Sequence, residues 1–148
     1  MTAHLNALEG PACWKAATLR QEQDWVFELD RAQAAELLRA TEAVASREVE
    51  SITRDAFSLG SLKTTLAKVR QTIVAGKGLV LMRGLPVLEL SEADVGRMLW
   101  GIGQHLGIPQ PQDAAGALLH HVRDTGASVA GQANVHTFQT NEAQPWHN

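Results

Sequence analysis

Between two stretches of helical periodicity lies Gly78-Leu79-Val80-Leu81-Met82-Arg83-Gly84, an apolar run closed by glycine at both ends. It is too short for a helix of ordinary length, so it reads as a buried strand. A strand embedded among amphipathic helices limits the chain to folds in which helix and sheet share one core. With helices early and β-like pieces late, the order points to the α+β class.

Three helices carry their own start and stop signals. Asp30 with Gln33 three residues on forms a capping box, and Ala34, Leu37, Leu38, Val44 and Ala45 follow at helical spacing, which predicts a helix over about 31–46. Arg47 to Ser58 reads as a polar connection in which Phe57 tucks inward. Leu59, Leu62, Leu66, Val69 and Ile73 then share one face of a second helix, ended by Gly76 and Gly78. Ser91, with Asp94 three residues on, opens a third helix whose stripe is Val95, Met98, Leu99, Ile102 and Leu106, with Gly107 and Pro109 as its stop. Before the helices, Trp14 and Trp25 are expected to pin an N-terminal arm to the body. After them, Ala117 to Arg123 and Ala133 to Gln139 read as short strands, separated by a turn at Asp124-Thr125-Gly126.

Composition excludes several classes. The 148 residues hold 13 Lys and Arg against 16 Asp and Glu, so there is no basic footprint for nucleic acid. Cys13 is the single cysteine, which removes disulfide frameworks and cysteine-rich zinc sites, and it lacks a neighbouring His to activate it. No apolar run reaches membrane-spanning length and the first ten residues carry no secretory core, so the expected compartment is the cytoplasm. Gly76-Lys77-Gly78 does not match a phosphate loop, and Lys77 and Arg83 read as solvent-facing charges at strand ends. Of six histidines, five follow Gln104: His105, His120, His121, His136 and His147. Imidazole is a common metal ligand, yet no H-E-x-x-H spacing occurs here, and a histidine at a helix end such as His105 also complements the helix dipole.

The order of segments from Gly76 onward is more specific than any one of them. Gly76 to Pro86 is followed by a helix closed with Gly103-Gln104-His105-Leu106-Gly107-Ile108-Pro109. Next come Pro111-Gln112-Asp113, Gly116 to Leu119 and His121 to Gly126, and finally Phe138-Gln139-Thr140-Asn141 and Pro145-Trp146-His147-Asn148. This order resembles the N-terminal part of the TauD/TfdA family, the clavaminate-synthase-like non-haem iron(II), 2-oxoglutarate-dependent dioxygenases. The resemblance extends to the Asp24-Trp25 arm.

The resemblance implies the N-terminal part of a double-stranded β-helix, a cupin-like jelly roll with flanking helices. It makes 1–148 one incomplete domain, with 1–29 as lead-in arm and 30–148 as helices and first strands. It implies Fe(II) and 2-oxoglutarate as cofactors of the complete protein and a small organic molecule as substrate. His147 matches the first His of the family's His-x-Asp/Glu iron pair and Asn148 its middle position. The acidic ligand, the distal His and the Arg that grips 2-oxoglutarate belong beyond Asn148. One imidazole is too few to hold iron, so the chain by itself is expected to bind no cofactor stably and to have no catalytic residue of its own. By position, Gln112, Thr140 and Asn141 face the substrate. Read as ordinary loop residues, the same side chains cap turns or bond to backbone. The alternative to an enzyme fragment is a degenerate, non-catalytic remnant or interaction module of the same fold. A cupin-like binding domain using His120 and His136 is a third reading.

Overall fold

The structure is a computed structural model that describes residues 9–128, 135 and 139–143. The chain divides into two compact units, Met1–Pro109 and Gln110–Asn148.

The first unit is built on a parallel strand pair. Strand β1, Val26–Glu28, lies beside β2, Leu81–Arg83, in the register Val26↔Leu81, Phe27↔Met82 and Glu28↔Arg83. Leu81 N donates to Trp25 O at 2.9 Å and Leu29 N to Arg83 O at 3.0 Å, which extends the ladder at each end. Parallel strands need a long crossover, and the two helices between them supply it. Gly84 leaves β2 with φ 78°, and a Cβ there would sit 2.8 Å from Leu29 O, so this exit requires glycine. The apolar run thus contributes a strand, as expected, though only over its last residues before Gly84, and the expectation that it is buried is corrected, since Leu81 and Met82 are half-buried and Arg83 is exposed. Its partner β1 is not foreseen, because three residues are too few to show a period. Both described strands precede residue 84, and β1 comes ahead of the first long helix, where the expected order of helices first and strands later placed none.

Helix α1 is a single turn, Ala16–Leu19. In helix α2, Arg31–Ala43, the capping box forms: Gln33 N donates to Asp30 Oδ1 at 2.8 Å and Asp30 N to Gln33 Oε1 at 3.1 Å. The helix stops short of Ser46 because Val44 and Ala45 bond three residues back, to Thr41 and Glu42, and tighten the chain into turns. Helix α3, Leu62–Ala75, begins without a cap of its own, since Ser61 has helical φ and ψ and caps nothing. Glu36 on α2 takes over: its carboxylate accepts from Ser61 N at 3.1 Å, Ser61 Oγ at 2.9 Å, Leu62 N at 3.3 Å and also Gly60 N. One carboxylate thereby satisfies the N–H groups of Gly60, Ser61 and Leu62 at the start of α3, while Lys63 N and Thr64 N bond to Gly60 O and Ser61 O, and it ties α3 to α2.

Helix α4, Glu92–Leu106, packs on α2, α3 and the 3-10 turn Val49–Ser51. Ser91 caps it, with Asp94 N donating to Ser91 Oγ at 3.2 Å. Its buried face is Met98, Trp100, Gly101, Ile102 and His105, whereas Leu99 is 44% exposed. The apolar stripe misplaces this face because glycine and histidine carry two of its positions. A Cβ on Gly101 would lie 2.3 Å from Cγ of the fully buried Phe57, so the ring occupies the space a side chain would take. Around it Leu37, Val44, Ile52, Leu62, Leu66, Val69 and Met98 complete the core. Ile73, expected in this core, is 38% exposed near the end of α3.

The tryptophans do anchor the arm. Trp14 Nε1 donates to Lys77 O at 2.9 Å, and Trp25 Nε1 to Glu22 O at 2.9 Å. Lys77 is not the free surface charge expected of a strand end. Its side chain is 14% exposed and pairs with Glu22 and Asp24. The hydrogen bond to Glu22 is the largest influence holding its ammonium above the ordinary Lys range.

In the second unit, Ala117 to Arg123 form no strand, which corrects that expectation. Asp113 redirects the chain instead: Gly116 N donates to Asp113 O at 3.1 Å and Ala117 N to Asp113 Oδ1 at 2.9 Å. A side-chain acceptor here competes with sheet pairing. Of the second expected strand, Ala133 to Gln139, only Val135 and Gln139 lie within the described residues.

Two outcomes test this packing. Gly101→Ala gains about 1 kcal/mol in helix propensity but overpacks Phe57, so urea unfolding should show a net loss of about 2 kcal/mol or more. Glu36→Ala removes the cap of α3 and should cost about 1–2 kcal/mol in the same measurement.

Candidate functional site

The residues nominated from sequence fall in the second unit, and its described part is a set of polar turns with no buried residue. Gln112 is exposed and turned back on its own loop. Its Nε2 donates to Gln110 O at 2.8 Å and its backbone N to Ala117 O at 2.7 Å. That is the backbone-bonding role of a loop residue. Thr140 is half-buried, and its Oγ1 accepts from Glu142 N at 3.3 Å in a side-chain turn. Asn141, next to it, is exposed. His147 lies outside the described residues, as do His136, Trp146 and Asn148.

Two further features were not read from sequence. Thr125 donates from both N and Oγ1 to Gln139 O, each at 2.9 Å, and Ser128 Oγ donates to Glu142 Oε1 at 2.6 Å. These bonds bring 125–128 beside 139–142, the segment that carries Thr140 and Asn141. The second is a close contact between His120 Nε2 and Asp113 Oδ2 at 3.1 Å. The N–H of Ala117 is the largest influence holding the Asp113 carboxyl below the ordinary Asp range, with Ala115, His120 and Gly116 adding to it. The two residues lie seven positions apart across a glycine turn, outside any helix or strand, so no periodicity in the sequence points to the pair.

An iron site needs three protein side chains converging on one point. Among the described residues no three His, Cys, Asp or Glu side chains do so. His120 and Asp113 make a pair with no third member there, and Cys13 is exposed in the arm. The described residues therefore do not by themselves fit the metal. Among the same residues no helix is long and apolar enough to cross a membrane.

No family model matches the sequence. The chain is similar to FR-33289 synthase of Streptomyces rubellomurinus (strain ATCC 31215). The two are 29% identical over 140 residues, which is 93% of this chain and 41% of that protein. The chain thus spans about two fifths of the length of the relative it matches.

The Asp113 turn has a pH signature. A carboxyl with a lowered folded pKa stabilises above its unfolded pKa, and that contribution is lost as pH falls through the folded value. In an acid titration followed by NMR, the Ala117 amide should move with a midpoint below the ordinary Asp value of about 3.9. A midpoint at or above that value would contradict the hydrogen-bonded turn.

Proposed function

We propose that this chain is the N-terminal segment of an iron(II), 2-oxoglutarate-dependent dioxygenase of the TauD/TfdA type that oxidises a small organic molecule. The observation that carries the reading is the breadth of the match. Similarity to a synthase runs over 93% of this chain, so it takes in nearly the whole succession of segments and not one motif. The jelly roll is the fold proposed for the complete domain, with the first unit as its flanking helical layer.

In this reading Fe(II) and 2-oxoglutarate supply the oxidising power for attack on an unactivated carbon. His147 contributes one imidazole, which leaves the chain by itself short of a ligand set. Thr140 and Asn141 stand close in sequence to that histidine, and the bonds from Thr125 and Ser128 hold their segment in place. Of the proposed substrate contacts, Gln112 and Thr140 also have local roles: Gln112 Nε2 donates to Gln110 O, and Thr140 Oγ1 accepts from Glu142 N.

The test uses protein expressed from the complete reading frame that contains this chain. With Fe(II) and oxygen it should convert 2-oxoglutarate to succinate, and His147→Ala should drop turnover to background while circular dichroism stays unchanged. Turnover that survives the substitution would overturn the role of His147. A folded protein that consumes no 2-oxoglutarate would overturn the enzyme reading and favour the non-catalytic remnant.

A further inference from the structure

A cavity of about 430 Å³ opens in the first unit between α3 and the end of α4. Lys63, Ala67 and Arg70 line it from α3 at the i, i+4, i+7 spacing of one helix face. The small Ala67 leaves a hollow between two cationic side chains. Arg54 lines it from the loop before α3, and His105 closes it from α4.

Its charge is one-sided. Among the described residues the lining includes no carboxylate, and Asp55 lines only an adjoining cavity of about 120 Å³ shared with Arg54, Lys63 and His105. The side chains of Arg54 and Lys63 make no hydrogen bond or ion pair with another described residue. Arg70 is positioned: its Nε donates to Leu106 O at 3.1 Å, which leaves its terminal nitrogens for another acceptor. The wall formed by His105 is fixed as well. Its Nε2 lies 2.9 Å from Phe57 O, and since a carbonyl only accepts, that nitrogen carries the proton and donates.

We propose that this cavity binds a small phosphate-type dianion. Cations approach it from a loop and from two turns of one helix, so a ligand must present oxygens in several directions. A tetrahedral oxyanion does so, while a planar carboxylate offers two oxygens in one plane. The site is independent of the dioxygenase reading, because none of its residues belongs to the segment proposed to approach iron.

The probe is inorganic phosphate, titrated into the full chain at matched ionic strength with chloride as control and followed by calorimetry and amide NMR. Saturable binding should shift the amides of Lys63–Arg70 and Gly107–Ile108. Arg54→Gln and Lys63→Gln should each weaken it about tenfold. Neither side chain has a partner among the described residues, so both variants should melt like the parent. The proposal is overturned if phosphate gives no saturable shift beyond chloride, or if the double variant binds as tightly as the parent. Succinate binding as tightly as phosphate would overturn the tetrahedral class.

Discussion

The first unit depends on one close approach: the ring of Phe57 lies where a side chain on Gly101 would be. That contact lets the 52–57 loop lie flat on α4, and two hydrogen bonds lock it there. Trp100 Nε1 donates to Ile52 O at 3.0 Å, and His105 Nε2 reaches Phe57 O at 2.9 Å. Trp100, Gly101 and His105, within two turns of α4, thus hold one loop by a polar, an apolar and a polar contact. Because α4 also packs on α2 and α3, the loop and the crossover share one reference element. A ring this deeply buried tolerates little displacement, since interiors are close-packed.

Much of this unit is legible in the sequence where the signal is local. Asp30 with Gln33 and Ser91 with Asp94 mark helix starts through bonds that span three residues. The apolar stripe of α3 likewise places Leu62, Leu66 and Val69 correctly. What escapes is non-local or carried by unexpected residue types. The cap of α3 comes from Glu36 on another helix, 25 residues from Ser61. The buried face of α4 includes Gly101 and His105, which an apolar pattern passes over. Strand β1 is too short to announce itself, and Lys77 finds its carboxylates in the distant arm.

The second unit reads differently for a physical reason. Its described residues are stitched by side-chain acceptors such as Asp113, Asp124 and Thr140, which form turns in place of a ladder. Side-chain acceptors of this kind satisfy backbone N–H groups locally, and the alternation that predicts strands cannot see that competition. The nominated site is therefore legible as an order of motifs more than as a geometry. Gln112 resolves as a loop residue, while Thr140 and Asn141 sit on a segment tied back to Thr125 and Ser128.

Helix α4 is the organising element of the first unit, and the described part of the second is a set of turns with no buried residue. Native-state hydrogen exchange on the full chain tests that division most directly. The slowest amides should be those of Met98–His105 in α4 and Leu66–Val69 in α3, with the amides of 112–126 exchanging much faster. Comparable protection in the two units, or fast exchange across α4, would contradict it.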